Sequence, residues 1–152
     1  MDGFVKLGYS YSDGALYYDE SNFKNVNTYP IILEEPSVTG TANILLAAAH
    51  SEKAVVIYNA ACEPYIEQLC KLLRSMGAKI AGDSTNRLNV IGTSKLSGAV
   101  HTVLPDFVEV ASFVSLAAIT NSQIIIKGIK YYNTDDINVD NIGQTLIPFK
   151  KL

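Results

Sequence analysis

Hydrophobic positions form short apolar runs and longer stretches with helical spacing. Residues 54–58 read AVVIY, an apolar run that is typical of a strand in a covered, largely parallel sheet. Residues 36–49, PSVTGTANILLAAA, begin with small hydroxyl-bearing residues and end in apolar ones, which predicts a tight loop leading into a buried helix. Residues 29–33, 78–81 and 87–91 predict three further strands.

Two more helices follow from apolar spacing and helix end signals. Pro64, just after Glu63, suits a first helical turn because that position needs no backbone donor. Gly77 has the usual position just past the end of such a helix. The apolar face between them comprises Ile66, Leu69, Cys70, Leu72, Leu73 and Met76. A third helix is predicted from Pro105 to about residue 119.

The two ends of the chain carry weaker patterns. Residues 1–18 predict a hairpin with strands at 4–7 and 15–18 around a turn at 12–14. Residues 100–104 and 124–127 predict two more strands. The polar tail after residue 130 is expected to be loosely held.

An internal repeat appears when the sequence is shifted by 69 residues. Pro36 then falls on Pro105 and Ala48 on Ala117, so loop and helix coincide without a gap. Each repeat is predicted to be a βαβαββ unit, which gives an α+β fold: a two-layer sandwich of a mixed sheet with helices on one face.

The repeat predicts limits along the chain. Residues 1–104 would hold the end of one unit and one complete unit, residues 105–130 the first half of the next, and residues 131–152 the tail. A chain that begins and ends inside its own repeat is expected to be a fragment of a longer protein.

Composition narrows the classes of partner. The chain has 152 residues, of which 48% are hydrophobic and 18% charged, and its formal net charge is −3. The absence of a basic run argues against nucleic-acid binding. The longest strongly apolar run, residues 44–49, is too short to span a membrane, and the N-terminus lacks the pattern of a signal peptide. The expected location is cytoplasmic.

Metal chemistry has little support in the sequence. The two cysteines, Cys62 and Cys70, have no ligand at metal-binding spacing, and His50 and His101 are isolated. We therefore expect no metal site and interpret these four residues as structural or incidental.

The loop before the first long helix is the candidate binding site. Thr39 or Thr41 can cap the helix, and Gly40 permits close backbone approach. The first amides of a helix and the positive end of its dipole suit an anion such as a phosphate. The alternative is an ordinary capped core helix without a ligand.

Three linked motifs resemble the UDP-N-acetylglucosamine enolpyruvyl transferases, a branch of the enolpyruvyl transferase family. They read PSVTGTANILLAAA, NAACEPYIEQLCKLLRSMGAKIAG and LNVIGTSKLSGAVHTVLPDFVEVASFVSLAAIT, in the family's order and spacing. The family is built from six βαβαββ units in two lobes, which agrees with the repeat found above. The resemblance implies transfer of the enolpyruvyl group of phosphoenolpyruvate to the 3-hydroxyl of UDP-N-acetylglucosamine, with release of phosphate, in peptidoglycan precursor synthesis and without a cofactor.

The resemblance also assigns site residues. Ser37 and Val38 match the loop that holds the nucleotide end of the sugar nucleotide, and their neighbours Thr39 and Gly40 complete the candidate set. Three further matches are read either as substrate contacts or as helix caps: Glu63, Asp106 and Glu109. Asp106 and Glu109 stand at capping-box spacing, which explains them without a substrate.

Several positions depart from the family pattern. Glu35 stands where the family often has Lys, Cys62 and Phe107 where it usually has Arg, and Thr39 where it usually has Gly. By resemblance, the catalytic loop would lie before this stretch and other catalytic residues after it. We therefore expect the chain to be inactive alone.

Other interpretations stay open. The chain could be another member of the superfamily, such as an aromatic-pathway enolpyruvyl transferase or an RNA 3′-phosphate cyclase, or a non-enzymatic βαβαββ scaffold. The apolar helix at residues 44–49 suggests burial on more than one side. We expect the isolated chain to cover this surface by forming a homodimer or by swapping residues 100–127.

Overall fold

The computed structural model describes residues 2–18, 28–122, 124 and 126, which belong to two compact units, Met1–His101 and Thr102–Leu152. The helices in the described part of the first unit are α1 (Asp2–Lys6), α2 (Val38–His50) and α3 (Pro64–Ser75). Its strands are β1 (Tyr9–Ser12), β2 (Ala15–Tyr18), β3 (Thr28–Ile32), β4 (Ala54–Tyr58), β5 (Lys79–Ala81) and β6 (Arg87–Ile91). The described part of the second unit contains α4 (Phe107–Ile119).

A four-stranded mixed sheet organises the first unit, with the strand order β3-β4-β6-β5. Strands β3 and β4 are parallel and place Ile31 opposite Ile57, while β6 is antiparallel to both of its neighbours. The order β3-α2-β4-α3-β5-β6 is one βαβαββ unit. This arrangement confirms the predicted α+β fold class.

One face of the sheet supplies the core. Strand residues alternate between the buried face and the outer face, as in β4, where Val55 and Ile57 are buried and Tyr58 is exposed. The inward side chains pack with α2 and α3 into one hydrophobic cluster, and the outer face leaves Ile32 and Ile91 exposed. Helices therefore cover one side of the sheet, which is the predicted two-layer arrangement.

Helix α2 is the most deeply packed helix of this unit. Its buried residues Ile44, Leu45, Ala48 and Ala49 include two alanines, whose small side chains let the helix backbone lie close to its neighbours. Gly92, directly after β6, lies against the carbonyl oxygens of the last turn of α2, and the Thr93 amide donates to the Ala49 carbonyl at 2.9 Å.

The C-terminal end of α3 is closed by local hydrogen bonds. The Ala78 amide donates to the Leu73 carbonyl at 3.0 Å, and Gly77, with a φ of 115°, donates to Arg74 at 3.1 Å. These two bonds form a Schellman motif, with Gly77 just past the end of the helix as predicted.

Arg74 also ties α3 to the β5–β6 turn. Its guanidinium donates two hydrogen bonds to the Asp83 carboxylate, at 2.9 and 2.7 Å, and one to the Ile80 carbonyl at 3.2 Å. The hydrogen bond from Arg74 is the main reason why the pKa of Asp83 lies below its ordinary value of 3.8. The contact therefore stabilises the fold fully at pH values above the ordinary pKa of 3.8. This stabilisation is lost as the pH falls through the lowered pKa of Asp83.

Two predicted strands are wrong. Residues 4–7 were expected to be extended, but residues 2–6 form α1. The Asp13-Gly14 turn has φ values of 51° and 81°, which suits a two-residue hairpin turn, and it pairs Ser12 with Ala15. The first strand must therefore adjoin the turn, at residues 9–12. The second wrong prediction is residues 100–104, which are not in a strand.

Some predictions concern residues outside this description. The tail at 131–152 lies outside the described residues, as do residues 125 and 127 of the predicted last strand, while residues 124 and 126 are not in a strand. The proposed limits of the repeats at 104 and 130 stay a prediction. Within the described residues, no helix is long and apolar enough to cross a bilayer.

The packing of Gly92 generates a stability prediction. A methyl group at this position would overlap the carbonyl oxygens of Ala48, Ala49 and Ser51, which are backbone atoms and cannot rotate away. We expect Gly92→Ala to lower the free energy of unfolding by about 2–3 kcal/mol. Chemical denaturation followed by circular dichroism measures the change.

Gly98 provides the matched control, because a methyl group there meets nothing within 4 Å. Gly98→Ala should change the free energy of unfolding by less than about 0.5 kcal/mol. Equal stability of the two variants would contradict the close approach at Gly92.

Candidate functional site

The candidate site lies at the edge of the sheet where the parallel strands β3 and β4 end. Residues 33–37 connect β3 to α2, and residues 59–63 connect β4 to α3. Because parallel strands point their carboxyl ends to the same edge, these two loops are neighbours. The β5–β6 turn joins them, since the Ala60 amide donates to the Asn86 carbonyl at 3.0 Å.

Ser37 caps α2. Its hydroxyl accepts a hydrogen bond from the Gly40 amide at 3.1 Å, and its carbonyl accepts the first helical bond from the Thr41 amide at 2.8 Å. The expectation that Thr39 or Thr41 caps the helix is wrong, because the helix begins earlier, at Val38. A methyl group at Gly40 would lie 3.3 Å from the Ser37 side chain, so glycine keeps room for the cap.

The first two amides of α2 face no partner in the described part of the chain. Val38 and Thr39 precede the first helical hydrogen bond, and the Ser37 hydroxyl is taken by Gly40. Thr39 is exposed, and Ser37, Val38 and Gly40 are partly buried. The structure thus brings the four predicted residues together in one helical turn, in which the amides of Val38 and Thr39 have no partner among the described residues, whereas those of Ser37 and Gly40 are hydrogen-bonded.

Charge near this turn is negative rather than positive. Glu34 and Glu35 are exposed in the loop just before Ser37, and the first turn of α2 holds no acidic residue. Glu63 lies at the same sheet edge, where it is the N-cap residue of α3 without a capping hydrogen bond from its side chain. An anion at this edge would therefore depend on amide donors and on the helix dipole.

Asp106 and Glu109 belong to the second compact unit. The Asp106 carboxylate caps α4, accepting from the amides of Val108 at 2.9 Å and Glu109 at 3.3 Å. Glu109 lies in the first turn of α4, where its negative charge interacts favourably with the helix dipole. These contacts follow the capping interpretation, and a substrate role for either residue stays a prediction.

Sequence reasoning missed two side chains that connect the loops. The Asn59 side-chain amide donates to the Leu33 carbonyl at 3.0 Å, and the Thr41 hydroxyl accepts from the Ala61 amide at 2.9 Å. The available signal was the position of Asn59 directly after an apolar strand. Asparagine tolerates the positive φ of 56° that the chain adopts there better than most residues do.

Sequence reasoning also missed a cation, Arg87, which lies at the same edge of the sheet. The register sets it opposite Tyr58, and its guanidinium lies 5.3 Å from the centre of the Tyr58 ring. Both side chains are exposed on the outer face of the sheet, whereas α2 covers the inner face. Arg87 therefore shares the edge with the α2 entrance but occupies the other side of the sheet.

The cysteines differ in environment. Cys62 is exposed in the loop before α3, and Cys70 is buried within α3; both are free thiols. Burial is the main cause that raises the pKa of Cys70 to about 12, so its nucleophilic thiolate is scarce at neutral pH. Among the described residues, no three His, Cys, Asp or Glu side chains cluster in a way that could hold a metal ion.

The fold has a match among solved structures. The enolpyruvyl transferase NikO from Streptomyces tendae superimposes with a TM-score of 0.58 at 17% identity, over 74% of this chain and 29% of that chain. At this identity the match concerns the fold alone. It places the βαβαββ arrangement in the enolpyruvyl transferase fold.

The sequence match defines the family. The family model described as EPSP synthase (3-phosphoshikimate 1-carboxyvinyltransferase) matches residues 16–146, and the chain belongs to that family. Two relatives are named UDP-N-acetylglucosamine 1-carboxyvinyltransferase. The protein from Bacteroides thetaiotaomicron is 47% identical over 86% of this chain, and that from Porphyromonas gingivalis is 47% identical over 80%. The chain spans 30% and 26% of their lengths, respectively.

The environments of the two cysteines predict their reactivity. Burial raises the pKa of Cys70 to about 12, so this thiol stays protonated at pH 8, and burial also blocks access of a reagent. We expect the folded chain to react with Ellman's reagent rapidly at one thiol, Cys62, and at both thiols after unfolding in guanidinium chloride. The absorbance of the thionitrobenzoate released from the reagent measures the reaction.

Cys62→Ser is the control for this assignment. It should remove the fast reaction and leave the reaction of the unfolded chain at one thiol. Rapid reaction of both thiols in the folded wild-type chain would mean that Cys70 is not buried.

Proposed function

We propose that this chain is the part of a UDP-N-acetylglucosamine 1-carboxyvinyltransferase that holds the diphosphate end of the sugar nucleotide. The supporting observation is the helical turn at Ser37, Val38, Thr39 and Gly40, where the amides of Val38 and Thr39 have no partner among the described residues. The 47% identity to relatives of that name supports the choice of ligand. UDP-N-acetylglucosamine and phosphoenolpyruvate are the proposed substrates of the complete enzyme.

In the proposed reaction, the 3-hydroxyl oxygen of the sugar bonds to C2 of phosphoenolpyruvate, and the bond from C2 to the phosphate oxygen breaks. The departing group leaves as inorganic phosphate, and in the overall balance the hydroxyl proton ends on that phosphate. The role of this chain is binding: the amides of Val38 and Thr39 donate to diphosphate oxygens, which fixes the distance of the sugar from the second substrate.

We propose that the chain does not catalyse this reaction alone. Neither cysteine is a candidate nucleophile by resemblance, and Cys70 is further disfavoured by its burial and its pKa of about 12. Substrate contacts from Glu63, Asp106 and Glu109, a role in peptidoglycan precursor synthesis and a cytoplasmic location accompany this proposal and stay predictions.

A non-enzymatic scaffold is the second candidate, and one observation favours it. Glu34 and Glu35 are exposed beside the α2 entrance, where their charge opposes an approaching diphosphate. At about 0.15 M ionic strength, charges within about 8 Å still interact appreciably. The two candidates differ in whether the chain binds the sugar nucleotide at all.

Titration with UDP-N-acetylglucosamine tests the binding proposal. We expect saturable heat in isothermal titration calorimetry, and Ser37→Trp should weaken binding by more than about tenfold because the indole would fill the space at the helix entrance. UDP alone should compete, since it carries the same diphosphate.

Ser75→Trp is the matched control. Ser75 is exposed at the last residue of α3, a helix that carries the chain about 18 Å away from this edge, so binding should persist. No binding at millimolar ligand would favour the scaffold. Substrate-dependent phosphate release by the isolated chain would contradict the proposed lack of activity.

We also propose that the isolated chain associates with a second copy of itself, as a homodimer or by a domain swap. The supporting observation is α4, whose sequence is almost wholly apolar and which has no buried residue. Leu116 and Ile119 are 55% and 84% exposed, a large apolar exposure for a folded monomer.

Light scattering coupled to size-exclusion chromatography tests this association. We expect a mass near twice the 16.5 kDa of the chain, and Leu116→Glu should shift the protein toward monomer because a carboxylate resists burial. Ser112→Glu, at an exposed polar position of the same helix, should leave the mass unchanged. A monomer at high concentration would contradict the proposal.

A further inference from the structure

The segment that carries the α2 entrance is held at both of its ends by a second loop. Before the entrance, the Asn59 side-chain amide donates to the Leu33 carbonyl at 3.0 Å. After it, the Thr41 hydroxyl accepts from the Ala61 amide at 2.9 Å. Residues 33–41 are thus tied to residues 59–61 on either side of Ser37.

The Asn59 contact depends on an unusual backbone. Asn59 has a φ of 56°, in the left-handed region, which turns the chain sharply where β4 ends. The Leu33 amide donates to the Tyr58 carbonyl at 3.1 Å, which continues the β3–β4 pairing to this point. The Asn59 side chain then adds the bond to the Leu33 carbonyl, beyond the last paired residue of either strand.

The Thr41 contact is buried. Thr41 is 0% exposed and the Ala61 residue is 1% exposed, so the amide of Ala61 has no access to bulk water and depends on the threonine hydroxyl. A buried donor that loses its acceptor costs about 1–3 kcal/mol. This bond therefore resists separation of the second turn of α2 from the second loop.

We propose that Asn59, with Thr41, is a positioning residue for the sugar-nucleotide site. It acts through the backbone, because its bond to the Leu33 carbonyl fixes the start of the loop. The position of Leu33 in turn determines the positions of Ser37 and of the amides of Val38 and Thr39. This inference rests on the proposed function, because it concerns how the same anion-facing turn is held. Asn59 itself need not touch the ligand.

Asn59→Gly tests the proposal without adding backbone strain, because glycine adopts a positive φ freely. It removes the bond to the Leu33 carbonyl. We expect the backbone amide NMR signals of Val38, Thr39 and Gly40 to shift and the dissociation constant for UDP-N-acetylglucosamine to rise about five- to tenfold.

Asn89→Gly is the control for general loss of stability. Asn89 is exposed in β6 of the same sheet, so glycine there weakens the strand without touching the loops. It should leave the three amide signals and the affinity unchanged. A second pair of variants tests the hydrogen bond between Thr41 and the Ala61 amide. Thr41→Ser keeps the hydroxyl and should retain affinity, whereas Thr41→Val removes the hydroxyl and should weaken binding.

Each outcome decides the inference. Shifted amide signals with weakened binding support it, and unchanged binding of Asn59→Gly overturns it. If the wild-type chain does not bind the sugar nucleotide but the amide signals of Asn59→Gly move, the positioning stands and the proposed function of the chain fails. If neither binding nor a shift is seen, both fail.

Discussion

The close packing of α2 against the sheet is the constraint on which the rest of the first compact unit depends. Alanines at positions 48 and 49 let the helix backbone approach β6 and the residues after it, and Gly92 keeps the last carbonyls of α2 in contact with that segment. Close-packed interiors have little room to adjust, so these contacts limit displacement of α2 relative to the sheet.

This constraint extends to the site through the two ends of the helix. At the C-terminal end, the Thr93 amide binds the Ala49 carbonyl, and at the N-terminal end the Thr41 hydroxyl binds the Ala61 amide. The turn that begins at Ser37 is therefore held by a closely packed helix and by a loop that is hydrogen-bonded to that helix. Under the proposed function, donors held in this way would lose little entropy on binding an anion, which favours affinity from few contacts.

Most elements of the fold could be predicted because their signals are local. The apolar runs gave strands at 54–58 and 87–91 with the observed bounds, and Pro64 and Gly77 marked the ends of α3. The prediction of a first strand at residues 4–7 failed because two positive-φ residues at the hairpin turn, rather than hydrophobicity, determine which residues pair.

The site was predicted less completely, for a physical reason. Ser37, Val38, Thr39 and Gly40 are close in the sequence, so their common turn follows from the pattern of a capped helix. The hydrogen bond from Asn59 to Leu33 joins residues 26 positions apart, and no spacing rule predicts it. Tertiary contacts of this kind follow only from the parallel pairing of β3 and β4, which sets the two loops side by side.

Helices α2 and α4, which the internal repeat relates, have similar sequence patterns but different surroundings. The 69-residue shift aligns the buried positions of α2 with apolar positions in α4. The aligned residues of α4 are Val110, Phe113, Val114, Ala117 and Ala118. Both helices have a side-chain N-cap, yet α2 has five buried residues and α4 has none. The two segments share caps and apolar spacing and both are helical, whereas the burial of α2 comes from the strands β4 and β6 that pack against it.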